Sequence, residues 1–143
     1  MTTDPRLWQR PAPERGSATI FVLGMSIVLM LCAGLVIDGG MGINTRMRVA
    51  DDAEQAARAG ANAVDVDQLR AGGELVVDPG LARLYAQDFL QARGYDASQY
   101  SMSVTANSVA IELRDVSDTT MLKLVGITEY PVTARATATA ATS

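Results

Sequence analysis

The sequence contains no histidine, one cysteine and a single lysine among its 143 residues. Without histidine, the chain lacks the side chain that most often acts as a general base or binds a metal near neutral pH. Cys32 alone cannot form an intrachain disulfide, nor can it supply the thiolates of a structural zinc site. The sequence therefore predicts no catalytic, cofactor-binding or metal-binding residues, and we expect the protein not to be an enzyme.

Basic residues are also few, and their distribution is uneven. Residues 1–16 carry three basic and two acidic residues, a net charge of +1, whereas residues 38–143 carry nine basic and fourteen acidic residues, a net charge of −5. Binding to nucleic acid requires a basic surface, so the acidic main part argues against such a partner. No motif indicates a small-molecule substrate, and we interpret the neighbours Asp51 and Asp52 as part of a solvated helix face.

The longest feature of the sequence is an uncharged apolar run of 21 residues from Ser17 to Ile37. A helix of this length extends about 30 Å, the thickness of the hydrocarbon core of a bilayer. A cleaved signal peptide is the alternative, but its apolar region is about 7–15 residues long and ends in a small-x-small site. Lipid attachment at Cys32 is disfavoured because Leu31 precedes it, where a small residue is expected. We therefore predict a transmembrane helix over 17–37.

The residues that flank this run set its orientation. The basic leader, residues 1–16, contains three arginines and three prolines, and the positive-inside rule places such a segment in the cytoplasm. The prolines favour a disordered tail. We therefore predict a single-pass protein of the cell membrane, with a cytoplasmic N-terminus and everything after the span on the extracytoplasmic side.

Helical periodicity continues beyond the apolar run, over an alanine-rich segment at 38–66. Small residues recur there at intervals of three and four, and we take Ala53, Ala56 and Gly60 as a helix-packing face. Such a face buries little apolar area but permits close approach of another backbone. The sequence leaves two partners open, a helix of another protein or the sheet of this protein itself.

The remaining segment, residues 67–143, predicts a small extracytoplasmic α+β domain. Asp78 as N-cap and Pro79 as first helical residue begin a helix that Gly94 ends. Its predicted apolar stripe consists of five residues: Leu81, Leu84, Tyr85, Phe89 and Ala92.

Alternation of apolar and polar residues predicts the strands of this domain. A two-residue turn at Asn107-Ser108 would pair Val104 with Ile111 in a hairpin with one apolar face. A short helix is expected from Asp118, as its cap, to Val125, with Gly126 closing it. The alanine and threonine alternation at 132–140 predicts a third strand, with a disordered terminus as the alternative. The predicted fold class is α+β, a long N-terminal helix followed by a small antiparallel sheet with one or two packed helices.

Motifs on both sides of the apolar run resemble those of one family. They are Arg15-Gly16-Ser17-Ala18 before it, Asp38-Gly39-Gly40 at its outer end, and an alanine-rich motif that runs from Met47-Arg48-Val49-Ala50-Asp51-Asp52-Ala53 to Ala59-Gly60-Ala61. The combination is similar to the TadE/TadG-like proteins of the tight-adherence (Flp, type IVc) pilus machinery. The resemblance implies a structural or assembly component of minor-pilin or pseudopilin type. Its implied partners are the lipid bilayer and other pilin-like or pilus-assembly proteins.

The resemblance also implies a candidate leader-cleavage site between Gly16 and Ser17, since prepilin peptidases cut after the leader glycine. Pilins carry a glutamate at the fifth mature position, where this chain has Phe21. That departure favours a membrane-held assembly factor over a major pilin. The alternative function is an unrelated membrane-anchored extracytoplasmic interaction module.

Overall fold

The computed structural model describes residues 15–72 and 75–140. Most of the predicted leader, residues 1–14, lies outside the described residues. In chain order the elements are helix α1 (Arg15–Ala61), helix α2 (Val66–Arg70), helix α3 (Pro79–Ala92), strand β1 (Tyr100–Val104), strand β2 (Ser108–Asp118), a 3₁₀ turn (Leu122–Val125) and strand β3 (Glu129–Thr139). The predicted fold class, a long helix followed by a small antiparallel sheet with a packed helix, is confirmed.

Helix α1 is continuous over 47 residues, which corresponds to a length of about 70 Å. It ends at Ala61, earlier than the predicted alanine-rich segment. The reason is that the next residues pair with the segment before α3: Val64 forms a bridge with Val77, and Asp78 donates its N–H to the carbonyl of Ala63 at 2.8 Å. Asp65 then caps α2 as a separate short helix.

The three strands form an antiparallel sheet in the order β1-β2-β3. The predicted hairpin pairing was wrong by two residues, because Val104 lies opposite Val109 instead of Ile111. The turn is held by Thr105, whose N–H donates to the Ser108 carbonyl and whose Oγ1 accepts the Ser108 N–H at 3.1 Å. A shift of two residues preserves the face of every side chain, so the predicted apolar face is correct although its register is not.

The segment between β2 and β3 also differs from the prediction. Asp118 does not cap a helix, since it is the last residue of β2 and lies opposite Glu129. Only the 3₁₀ turn at Leu122–Val125 forms there, and Gly126 ends it with a positive φ of 89°. The third strand extends over the alternating alanines and threonines as expected.

Helix α3 has the predicted caps but buries a different face from the predicted one, and of the predicted stripe only Phe89 packs against the core. Asp78 Oδ1 accepts the N–H groups of Gly80 and Leu81, and Gly94 follows the helix with a positive φ. The buried residues are Ala82, Ala86 and Leu90, whereas three of the predicted stripe are exposed: Leu81, Leu84 and Tyr85. The close approach of α3 to α1 selects the small side chains for the contact.

The core lies between the second half of α1, α3 and the sheet. Its fully buried members include Val49, Leu90 and Ile111, and the small residues of α1 complete it. The first half of α1 takes no part in this core. The α+β domain is therefore built on the distal half of α1, and the proximal half extends beyond the core and touches the domain through the loop between β2 and β3.

Candidate functional site

The proximal half of α1 carries an apolar surface that the described residues leave mostly exposed. Thirteen large apolar residues between Ile20 and Ile37 each expose between 48% and 75% of their surface. Cys32 is exposed on the same segment. Within the described residues, α1 is the one helix long and apolar enough to cross a membrane, and its exposure excludes the ordinary role of such a helix in a soluble core. Gly16 and Ser17, the candidate leader-cleavage site, lie in its first turn.

Where this apolar surface ends, Asp38 connects α1 to the loop between β2 and β3. The carboxylate is 1% exposed, and its oxygens accept the N–H groups of Thr120, Met121 and Leu122 at 2.8, 3.0 and 2.6 Å. Burial raises the pKa of Asp38, but the hydrogen bonds from these three backbone groups outweigh burial and hold the pKa below its ordinary value. Asp38 thus stays ionised while it caps a loop distant in sequence.

Two glycines on the same side of α1 allow the loop and β3 to approach. A Cβ atom added at Gly34 would lie 2.6 Å from Cβ of Met121, and one added at Gly42 would lie 1.3 Å from Oη of Tyr130. Real Cβ contacts are never this short, so a side chain at either position would displace its neighbour. Gly34, Asp38 and Gly42 are spaced four residues apart and form one continuous contact stripe on the helix.

The predicted helix-packing face continues this stripe into the soluble domain. Ala53 and Ala56 are fully buried, and Gly60 lies so close to α3 and β2 that an added Cβ would be 3.1 Å from both the Ala82 carbonyl oxygen and Cγ1 of Val109. Of the two partners that the sequence left open, the structure therefore places the protein's own helix and sheet against this face.

The same half of α1 contributes a buried carboxylate, contrary to the interpretation of Asp51 and Asp52 as a solvated pair. Asp52 is only 4% exposed; its Oδ2 accepts the phenol O–H of Tyr95 at 3.0 Å, and its Oδ1 lies 3.6 Å from Nε of Arg93. Burial, then the hydrogen bond and charge of Asp52, raise the pKa of Tyr95 to about 12. This network ties α1 to the end of α3.

Sequence reasoning missed Asp38 and Asp52 as partners in the fold, because Asp38 was interpreted as part of the motif at the outer end of the apolar run and Asp52 as part of a solvated helix face. One signal was present: Gly34, Asp38 and Gly42 lie at the same helical spacing as the alanine face, and Asp52 lies beside Ala53 at its edge. Among residues 15–72 and 75–140, no three His, Cys, Asp or Glu side chains are grouped so as to hold a metal ion.

Comparison with known families agrees with the motifs along α1. Residues 16–63 match the model of the family described as "Putative Flp pilus-assembly TadE/G-like". The match begins in the first turn of α1, covers its exposed half, the Asp38 stripe and the buried alanine face, and ends two residues beyond the helix. It confirms the resemblance seen in the sequence over this segment. No curated protein and no solved structure matches the chain.

Proposed function

We propose that the protein is a single-pass membrane component of a Flp pilus assembly system, a minor pilin or pseudopilin-like assembly factor. Residues 17–37 anchor it in the cell membrane, residues 1–16 lie in the cytoplasm, and the α+β domain works outside the membrane on other pilus proteins. The observation that carries the proposal is that the family match and helix α1 begin and end at nearly the same residues. The pilus-assembly family match follows α1 almost end to end, and α1 is an apolar exposed rod in one half and the spine of a folded domain in the other.

A structural role suits the arrangement of the buried groups. The carboxylates of Asp38 and Asp52 are each engaged with groups of the same chain, and they hold the domain on its helix. The family that matches is named for pilus assembly and not for a reaction. The alternative, an unrelated membrane-anchored interaction module, shares the anchor but not the pilus partners.

Genetic deletion separates these two functions. In the native host, we expect deletion of the gene to abolish surface pili and surface attachment, and the full-length chain supplied in trans to restore both. Normal piliation in the deletion strain would contradict the pilus role and leave the alternative. A nearby set of genes for a secretion ATPase and polytopic platform proteins would support the pilus role.

Thiol labelling tests the anchor and its orientation. We expect Cys32 in intact cells to resist membrane-impermeant thiol reagents, because the bilayer covers it. In a Cys32→Ser background, a cysteine at Asn107, which is exposed in the hairpin turn, should react from outside. Labelling at position 107 only after permeabilisation would reverse the orientation.

The mass of the mature protein tests whether it is processed as a pilin. Phe21 stands where pilins carry a glutamate, so we expect an assembly factor that keeps its leader. Intact-mass measurement on protein extracted from native membranes distinguishes the two outcomes. A mature N-terminus at Ser17 would assign the protein to the filament.

A further inference from the structure

The loop at 119–128, between β2 and β3, has a composition unusual for a surface loop. Connecting loops are normally polar, because water surrounds them. Here three large apolar side chains stand in the open, with Leu124 exposed by 76%, Val125 by 61% and Ile127 by 48%. An apolar cluster of this kind at the tip of a loop indicates a contact with something apolar outside the chain.

The position of the loop indicates what this apolar contact is. It lies against the exposed apolar half of α1, where Ile27, Met30, Leu31 and Leu35 of the helix and four residues of the loop enclose a groove of about 100 Å³. The loop residues are Met121, Leu122, Leu124 and Val125. Of the residues that the structure describes, only apolar side chains line this groove.

The depth of the loop along α1 follows from the helical rise. Asp38, just beyond the apolar run, caps the base of the loop, and the groove extends back to Ile27. Eleven residues of helix separate these positions, a distance of about 16 Å. That is about half the thickness of the hydrocarbon core, so the loop overlaps the outer half of the 17–37 segment.

Most backbone N–H groups of the loop are hydrogen-bonded within the protein, as an apolar environment requires. In a bilayer, backbone N–H and carbonyl groups must be paired within the protein. Asp38 accepts three consecutive N–H groups at the start of the loop. The N–H groups of Leu124, Gly126 and Ile127 donate to carbonyls within the loop, and that of Thr119 donates to the carbonyl of Thr128.

Lys123 does not prevent the loop from lying in an apolar environment. It is the only lysine of the chain and is exposed in the 3₁₀ turn. A lysine stem of four carbons can lie along apolar surface while its ammonium reaches the lipid headgroups.

From these observations we propose that the 119–128 loop inserts into the outer leaflet of the lipid bilayer beside α1. The soluble domain is then held at the membrane by two segments, α1 and the loop, with Asp38 joining them at the membrane surface. Two attachments fix the height and tilt of the domain relative to the bilayer. A single transmembrane helix would leave the domain free to tilt and to rotate about the helix axis. The inference rests on the proposed membrane anchor.

Depth-dependent fluorescence quenching tests the insertion. The full-length chain in a Cys32→Ser background carries one cysteine, Leu124→Cys or Val125→Cys, labelled with an environment-sensitive fluorophore and reconstituted in phosphatidylcholine vesicles. We expect lipids with nitroxides on their acyl chains to quench this label about as strongly as a label at Leu29→Cys within the span. Iodide in the buffer should leave it unquenched.

The matched control is Leu84→Cys, also a leucine exposed by more than half. It lies on α3, which contacts α1 near Gly60, about 33 Å beyond Asp38 along the helix. Iodide should quench this label and the lipid nitroxides should not.

Each other outcome overturns a definite part of the argument. Lipid quenching at position 29 but iodide quenching at position 124 would refute the insertion and leave the anchor intact. A label at 124 shielded from both quenchers would mean that the loop packs against protein, either α1 or a second copy of the chain, and would refute its insertion into lipid. Absence of lipid quenching at position 29 would refute the proposed anchor itself.

Discussion

The two halves of α1 contrast in a way that reverses the usual rule of burial. Its large apolar residues, at 20–37, are exposed, whereas five small residues farther along are buried: Ala53, Ala56, Ala57, Gly60 and Ala61. Both halves belong to one continuous helix. The distal half is in close contact with α3 and the sheet, and in the proposed function the proximal half lies in lipid. Side-chain size, and not hydrophobicity alone, therefore separates the exposed half of α1 from the packed half.

The largest loss of stability is expected when a charge is placed in the core around the distal half of α1. We expect Ile111→Asp to unfold the soluble domain, because an unpaired carboxylate in a fully buried position costs several kcal/mol, about the whole stability of a small domain. Circular dichroism and limited proteolysis in detergent measure the loss. Ser103→Asp, on the exposed side of β1, is the control and should be close to neutral; equal damage at both positions would contradict the assigned faces.

A pair of glycine substitutions tests the two halves directly. Gly60→Leu forces a side chain against the Ala82 carbonyl and Val109, and overpacking of this kind should lower the free energy of unfolding by about 3 kcal/mol. Gly24→Leu adds the same side chain where no other atom lies within 4 Å. Thermal unfolding in detergent should show a large decrease for the first variant and almost none for the second. Equal melting temperatures would mean that the distal half is not packed as described.

The distal half of α1 also contains a buried polar contact, between Asp52 and Tyr95, and a smaller loss of stability is expected when it is removed. We expect Tyr95→Phe to reduce stability by about 1 kcal/mol, the usual net value of one hydrogen bond, with Tyr85→Phe on the exposed face of α3 as the control. The pKa of Tyr95 is raised to about 12 from an unfolded value of about 10. Its stabilisation is therefore complete below pH 10 and is lost as the pH rises through 12. Phenolate absorbance against pH, in wild type and variant, measures both.

The smallest global effect is expected at the boundary between the halves. Asp38→Asn removes the charge that holds the 119–128 loop, so we expect faster amide exchange at residues 120–122 with little change in global unfolding. Because the folded pKa of Asp38 lies below the unfolded one, this protection is present above about pH 4 and is lost as the pH falls further. Asp51→Asn, an exposed carboxylate on the same helix, should leave the loop unchanged, and identical exchange in both variants would remove Asp38 from this role.

Local patterns in the sequence were sufficient to predict the elements, but their pairing depended on contacts between distant residues. The α3 caps at Asp78 and Gly94 were predictable because a cap needs only its own turn. The hairpin register was not, because the hydrogen bonds of Thr105 with Ser108 place the turn one residue earlier, which shifts the pairing by two residues while the alternation stays the same. The buried face of α3 could not be chosen from its own residues, since both of its faces carry apolar side chains and the approach of α1 near Gly60 made the choice.

By itself the sequence determined the long apolar run, the small-residue periodicity after it and the α+β order of elements, because each depends on residues near one another in the chain. The tertiary structure alone decided which groups meet across the fold. Asp38 is 82 residues from Thr120 in sequence but hydrogen-bonded to its N–H, and Asp52 lies buried beside Tyr95. Such contacts are set by how closely α1, α3 and the sheet approach, a distance fixed by the side chains of all three together.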